Sequence, residues 1–242
     1  MIVQTEGVVL KSTKYSETSL ICKIYTKSFG LQSYILQGVR KSKKGKANFY
    51  QPGNFLELVV YNNPSKNLQR VKEVKFAMVY QNIAFDIKKS AILLFIVELL
   101  NNSIKEEEEA QDHIYDFIKY HLVQLDLAES PFPLFHIKFL VELAKKIGIA
   151  PVENYAETAP YFSVKEGCFV GDLNDLHLVF EKDLSFLLHS LLQNPINDLK
   201  SIRAPYALRK DLLQGLLRYM SYHLTDFEKL KSPDILEVVF RA

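Results

Sequence analysis

The chain has 242 residues, 48% of them hydrophobic, which is enough for one large domain or two smaller ones and too apolar for a disordered chain. Two cysteines, Cys22 and Cys168, exclude a disulfide framework and a four-cysteine zinc site, and such sparse usage fits a reducing cytoplasm. The net charge of +2 conceals a division: residues 1–80 hold 13 Lys/Arg against 4 acids, a net +9, and residues 81–242 hold 17 against 24, a net −7.

A basic first third on an acidic remainder is the footprint of a protein that meets nucleic acid with one end. It also places a domain boundary near residue 80, giving domains 1–80 and 81–242. The N-terminus lacks the basic and apolar regions of a signal peptide. The most apolar run, Ala91 to Leu100, is interrupted by Glu98 and falls short of the roughly 20 residues a membrane span needs. A soluble cytoplasmic protein is expected.

In chain order, Gly7–Lys11 and Ser19–Thr26 read as strands, with a polar turn at Lys14–Thr18 between them. Ser28–Gly30 is the next turn and Leu31–Gln37 the third strand. Phe55–Tyr61 is the fourth, Asn62–Ser65 a turn, and Gln69–Phe76 the fifth. Five short strands with a long connection after the third suit a small five-stranded barrel of the OB-fold kind.

That long connection holds Gly38-Val39-Arg40-Lys41-Ser42-Lys43-Lys44-Gly45-Lys46, five cations and no acid. Unpaired ammonium groups resist burial, so the segment projects into water and its natural ligand is a polyanion. A loop kept only for solubility is the alternative. The candidate DNA-binding residues are Arg40, Lys41, Lys43, Lys44 and Lys46, with Lys11 and Lys14 joining them if the first turn lies on the same barrel face. Tyr15, Phe49 and Tyr50 lie near the basic turns, where aromatic rings can stack on bases. Tyr34 reads as core, while Phe49 and Tyr50 remain open between stacking and packing.

After residue 80 the period changes. Ala91–Leu100 is apolar on every face, as a fully buried helix is. Lys105–Glu109 reads as the acid-rich start of the next helix, which carries Ile114, Phe117, Ile118, His121, Leu122 and Leu125. Leu134–Ile147 is amphipathic and Gly148 supplies its stop. Near 151–180 the helical period is lost, and Tyr161–Val164 with Cys168–Val170 read as a small hairpin insert. Leu184–Leu192 is a short helix. Pro205 opens the last long helix, Lys231–Asp234 ends it, and Ile235–Phe240 is an apolar tail. The fold class is therefore α+β, an OB-fold barrel followed by a helical domain with a hairpin insert.

Catalytic and metal-binding patterns are missing. The segment Gly38–Lys46 looks like a P-loop but has six residues between its glycines, and Ala47 follows Lys46 where a metal-binding hydroxyl is needed. The six histidines are dispersed. There is no Gly-x-Ser-x-Gly elbow. No enzyme, cofactor or metal is expected.

The chain resembles the RecO family of bacterial recombination mediators. The resemblance is carried by Glu6–Lys11 with Tyr15-Ser16-Glu17, by Tyr25–Gly30, by Gly38–Lys43 with Gln51–Leu58, and by Arg209 with Tyr222-His223-Leu224 and Leu230-Lys231-Ser232. It implies an OB-fold followed by a helical domain. It implies binding of single- and double-stranded DNA, annealing of complementary strands, contact with RecR and with single-strand-binding protein, and help in loading RecA, in the cytoplasm with the nucleoid. Many relatives carry a four-cysteine zinc site in the insert. Here Asn154–Val170 holds only Cys168, with Tyr155 and Tyr161 where paired cysteines are expected, so Tyr161, Phe162 and Phe169 are expected to hold the hairpin by packing. The acidic, apolar-ended tail of single-strand-binding protein needs an apolar pocket ringed by cations, and Arg203, Arg209, Lys210 and Arg218 of the last long helix are the candidates. Two other readings use the same residues: a protein–protein adaptor whose barrel charge is incidental, and an RNA-binding OB-fold protein of translation.

Overall fold

The computed structural model describes residues 1–42, 45–106, 112–129, 133–172 and 178–241, and they form two compact units, Met1–Leu127 and Ala128–Ala242. The first contains a closed five-stranded barrel with strand order β1-β2-β3-β5-β4, the OB-fold arrangement. Its strands are β1 (Ile2–Lys14), β2 (Leu20–Thr26), β3 (Gly30–Leu36), β4 (Phe55–Tyr61) and β5 (Leu68–Phe76).

β1 is 13 residues long, far longer than its apolar centre indicates. It serves two neighbours in turn. Its first half pairs with β4, from Ile2 opposite Tyr61 to Val8 opposite Phe55. Its second half pairs with β2, from Gly7 opposite Thr26 to Lys14 opposite Leu20. A register shift between Val9 and Lys11 bends the strand where it passes from one partner to the other. β3 and β5 close the barrel through a short parallel pairing, Ser33–Leu68 to Ile35–Arg70.

Inward residues alternate as the two-residue period requires. Val9, Cys22, Ile24, Tyr34, Leu56, Leu58 and Val60 have their side chains in the barrel core. Burial pushes the Cys22 thiol up to about 11, and Ser12 Oγ lies 3.1 Å from its sulfur, so it is an inert core residue. Between β3 and β4 a 3-10 turn, Lys46–Tyr50, folds back on the barrel and delivers Tyr50 to the core at 3% exposure. Sequence pattern alone does not mark this turn, because five residues cannot display a helical period.

Two helices complete the first unit: α1 (Ile87–Ser103) and α2 (Asp112–Leu127). The change from strand to helix falls near residue 80, as the sequence pattern indicates, while the compact unit runs on to Leu127. α1 is buried nearly all round and packs on β1. Its N-terminus is capped by Asp86, which accepts from the backbone of Lys88 (2.8 Å) and Lys89 (3.1 Å). The turn before β4 approaches α1 so closely that a Cβ on Gly53 would lie 2.8 Å from Leu93, and Gly53 has φ of +91°. In α2, Ile114, Phe117, Ile118, His121, Leu122 and Leu125 are all buried, as their spacing predicts. α2 begins at Asp112, so Lys105 and Glu106 lie outside it, and Glu107–Glu109 fall outside the described residues.

A buried charged node locks the segment entering α1 to the end of α2. Asp126 accepts from the backbone N–H of Gln81 (2.8 Å), Asn82 (2.8 Å) and Ile83 (2.9 Å). Lys89, 4% exposed, donates to the Asp126 carbonyl at 2.9 Å. Burial alone would raise the Asp126 carboxyl, but the three backbone donors and the Lys89 charge outweigh it and hold it below the usual carboxylate range. Nearer the start of α2, Glu6 of β1 accepts from Lys119 (2.9 Å) and Tyr115 (2.8 Å), which lower its carboxyl too.

The second unit contains α3 (Phe135–Lys146), a hairpin of β6 (Tyr161–Ser163) and β7 (Cys168–Val170), α4 (Lys182–Gln193), a 3-10 turn at Ile196–Ser201, α5 (Tyr206–His223) and α6 (Ser232–Arg241). Gly148, at φ +83°, follows α3 as its stop. The tail expected after Asp234 is instead a helix. Ser232-Pro233-Asp234 starts α6, because proline fits the first helical turn, where its missing N–H is an orphan in any case.

The hairpin is held by an aromatic cluster. The Phe162 ring centroid lies 5.3 Å from Phe169, 5.3 Å from Phe180 and 5.6 Å from Tyr219. Tyr155 stacks on His189 at 4.5 Å and meets Phe169 edge-on. Phe162 and Phe169 are buried as expected. Tyr161 is only half-buried, and the Lys182 ammonium stands 5.7 Å from its ring. Asn154 pins β7, accepting from the Phe169 N–H at 2.8 Å and donating to the Phe169 carbonyl at 2.9 Å. Among the described residues no group of three His, Cys, Asp or Glu is arranged as metal ligands, and no described helix is long and apolar enough to cross a membrane.

Candidate nucleic-acid interface

The connection after β3 does not stand alone. The Arg40 N–H donates to the Thr18 carbonyl at 3.1 Å, and the Arg40 guanidinium donates to the Ser16 carbonyl. Lys41 forms an ion pair with Glu17 at 3.0 Å. The turn between β1 and β2 and the basic segment after β3 thus share one end of the barrel. They meet there because β1, β2 and β3 are successive antiparallel neighbours, with Lys14 opposite Leu20 and Leu20 opposite Leu36.

This end collects Lys14, Tyr15, Arg40 and Lys41, all exposed, with Tyr15 at 63%. Lys46 begins the 3-10 turn and is also exposed. Lys11 lies on β1, exposed, and three residues from Lys14. Lys43 and Lys44 fall outside the described residues. Lys11, Lys14 and Lys46 form no ion pair with a described acid. The Lys41–Glu17 pair is 66% and 87% exposed, so it is weak and easily exchanged for another anion.

The aromatic candidates separate. Tyr34 is fully buried, and its hydroxyl donates to Gln32 at 2.8 Å. Tyr50 is core. Phe49 is half-buried and stacked on Phe76, ring centroids 4.4 Å apart, so its face is already taken. Tyr15 alone of these rings presents an open face.

Two cations of the barrel escaped the sequence reading. Lys23, in the middle of β2, is directly opposite Lys11. Arg70, in β5, is exposed and opposite Tyr61. The alternation of β2 held the signal for the first: Cys22 and Ile24 point inward, which leaves Lys23 on the outer face.

In the helical unit an apolar groove is lined by Tyr206, Leu213, Leu236 and Phe240, with Arg209 and Lys210 beside them. Arg203 and Arg218 are exposed and do not line it. Arg209 donates to the Ala204 carbonyl at 2.7 Å, and Lys210 pairs with Glu237 of α6 at 2.6 Å. His136 lies at the bottom. Burial and the neighbouring Arg209 push its imidazole down to about 3, so it is neutral at physiological pH, and the charged groups lining the groove are Arg209 and Lys210 against Asp234 and Glu237.

A closed OB-fold barrel with one cationic end, joined in one chain to a helical unit, defines a class of OB-fold proteins with an appended helical unit. The family model described as "Recombination protein O N terminal" matches residues 1–80, and "Recombination protein O C terminal" matches residues 84–234. The chain is 32% identical over 242 residues to the DNA repair protein RecO of Christiangramia forsetii, and 34% identical to that of Flavobacterium psychrophilum, in each case over 99% of this chain and all of the relative. RecO of Bacteroides fragilis is 30% identical over the same share of each chain. The chain belongs to the RecO family, whose members are mediators of DNA repair and recombination.

Proposed function

We propose that this protein is a non-enzymatic recombination mediator whose barrel end binds the DNA backbone. The carrying observation is the joining of the 15–19 turn to the basic segment through Arg40, which puts Lys14, Arg40 and Lys41 beside one another. Lysine and arginine on phosphates release counterions and give affinity without reading bases. An annealing protein needs that kind of contact, since it must hold two strands while their bases pair with each other. Single- and double-stranded DNA are both ligands on this reading, and Tyr15 supplies a stacking face for an unpaired base.

The helical unit takes protein partners. The groove beside Arg209 and Lys210 suits an acidic peptide with an apolar end, such as the tail of single-strand-binding protein, with RecR a second partner and RecA loading the outcome. Tail binding requires the peptide to displace Glu237 from Lys210, so Lys210→Ala should weaken a labelled tail peptide and leave DNA binding unchanged. Because His136 stays neutral, peptide affinity should show no titration step between pH 5.5 and pH 7.5.

Gel shifts with matched DNA and RNA oligonucleotides, with and without single-strand-binding protein, test the function as a whole. DNA binding that persists when single-strand-binding protein coats the strand is the expected result. Preference for RNA would point to a translation protein. No binding to either nucleic acid would make the chain an adaptor.

A further inference from the structure

A row of polar side chains crosses the outer face of the barrel. Lys11 of β1 is opposite Lys23 of β2, and Lys23 is opposite Ser33 of β3. Their inward neighbours Cys22, Ile24 and Tyr34 are fully buried, so the alternation of the strands turns Lys23 and Ser33 outward. Residues directly opposite on adjacent strands stand about 5 Å apart, and like charges so placed repel. Two lysines facing each other there call for an anion.

The chain supplies one of its own. Glu106 Oε1 accepts from Ser33 Oγ at 2.8 Å and stands 3.0 Å from Lys23 Nζ. Glu106 is not on a helix face that happens to pass by. α1 ends at Ser103, and its cap, Ile104, donates to the Leu100 carbonyl, after which the backbone leaves the helix and carries Glu106 to the barrel. A single carboxylate oxygen bridging an ammonium and a hydroxyl is the contact set that a backbone phosphate oxygen would make at the same place.

We infer that Lys11, Lys23 and Ser33 form a phosphate subsite for the nucleic-acid backbone, occupied in the free protein by the carboxylate of Glu106. The inference rests on the DNA-binding reading above and adds the outer face of the sheet to it: Lys11 stands about 10 Å of extended strand from Lys14, and the alternation of β1 turns the two to opposite faces. The Lys23–Glu106 pair is partly exposed, at 37% and 31%, and such a pair is weak enough for a polyanion to displace. Occupancy by Glu106 screens the lysine row until a strand with enough phosphates takes its place, which biases the protein against short or weakly bound anions.

The test uses the full chain and a fluorescein-labelled 30-nucleotide oligo-dT, with anisotropy measured over a series of KCl concentrations. Glu106→Gln keeps a group that can accept from Ser33 and removes the competing charge. It should bind about two- to fivefold more tightly at low salt, and its slope of log affinity against log salt should steepen by up to about 0.7. Lys23→Ala should abolish that gain in the double variant. Unchanged affinity in Glu106→Gln, with the wild-type chain binding normally, would remove the subsite and leave the DNA-binding reading standing. A gain that survives Lys23→Ala would be a general charge effect and would overturn the assignment. Weaker binding by Glu106→Gln together with a lower melting temperature would make Glu106 a structural brace and also overturn it. Absence of binding by both the wild-type chain and Glu106→Gln would defeat the DNA-binding reading and the subsite together.

Discussion

Lys89 and Arg40 are both cations hydrogen-bonded to backbone carbonyls, and they do opposite work. Lys89 is 4% exposed, donates to Asp126 O, and sits beside a carboxylate that satisfies three backbone N–H groups. Arg40 lies exposed at the barrel end, with Lys14 nearby and an exposed Lys41–Glu17 pair beside it. At the first place charge is removed from water and every polar atom must be matched, so loss of one partner leaves others stranded. At the second, water already satisfies the charges, and their free energy is available to a ligand. A cation's exposure, more than its hydrogen-bond count, decides whether its charge is committed to the fold or left accessible to a ligand.

Breaking the buried node should have the largest effect. Asp126→Ala strands the N–H groups of Gln81, Asn82 and Ile83 and should lower unfolding free energy by about 3 kcal/mol, measured by urea denaturation. Gly53→Ala comes next. It places a methyl group against Leu93 in a left-handed backbone and should cost about 2 kcal/mol, read by the same method.

Acid sharpens the comparison. Asp126 and Glu6 have carboxyls held below their ordinary values in the folded barrel unit. Their stabilising contribution is complete above the unfolded carboxylate pKa values near 4, and is lost as pH falls through the lower folded values. Denaturant midpoints for the first unit should therefore drop below about pH 4 and stay level from pH 6 to pH 8. Asp126→Asn should flatten the acid limb. At the barrel end the smallest stability effect is expected: Lys14→Ala and Lys41→Ala should each change stability by no more than about 0.5 kcal/mol.

The barrel was legible because its residues obey a local rule. Cys22, Ile24, Leu56, Leu58 and Val60 alternate with outward residues, and turn signals such as Asn62-Asn63-Pro64 separate the runs. α1 was legible for another reason: a segment apolar on all faces has nowhere to go but the interior. What escaped depended on distant partners. The first residues of β1, Ile2–Glu6, form a strand because β4 lies beside them. Nothing within residues 81–83 announces that a carboxylate 43 to 45 residues on will accept from their N–H groups. Lys231–Asp234 has the composition of a helix stop, although proline after serine marks a helix start equally well and only the following pattern decides.

For the candidate site, charge density singled out the basic segment, and the structure joins it to Lys14 and Tyr15 through Arg40. Charge density along the chain does not single out Lys23, because its neighbour Lys11 is reached only across the sheet. In the second unit, Arg203 and Arg218 stand near Arg209 and Lys210 in the sequence, yet of the four only Arg209 and Lys210 border the groove. Arg203 precedes α5, and Arg218 lies nine residues after Arg209, which at about 100° per residue puts it on the opposite side of the helix.

On the proposed reading the barrel end binds nucleic acid through its phosphates. The most direct measurement is the salt dependence of oligo-dT affinity for the wild-type chain and for the variant with Arg40, Lys41, Lys43 and Lys44 all replaced by alanine. Each lost phosphate contact flattens the slope of log affinity against log salt by about 0.7 for single strands. The quadruple variant should show a slope shallower by up to about 2.8, weaker binding to every sequence alike, and an unchanged melting temperature. An unaltered slope and affinity in a folded quadruple variant would contradict that reading and leave the segment as a solubilising loop.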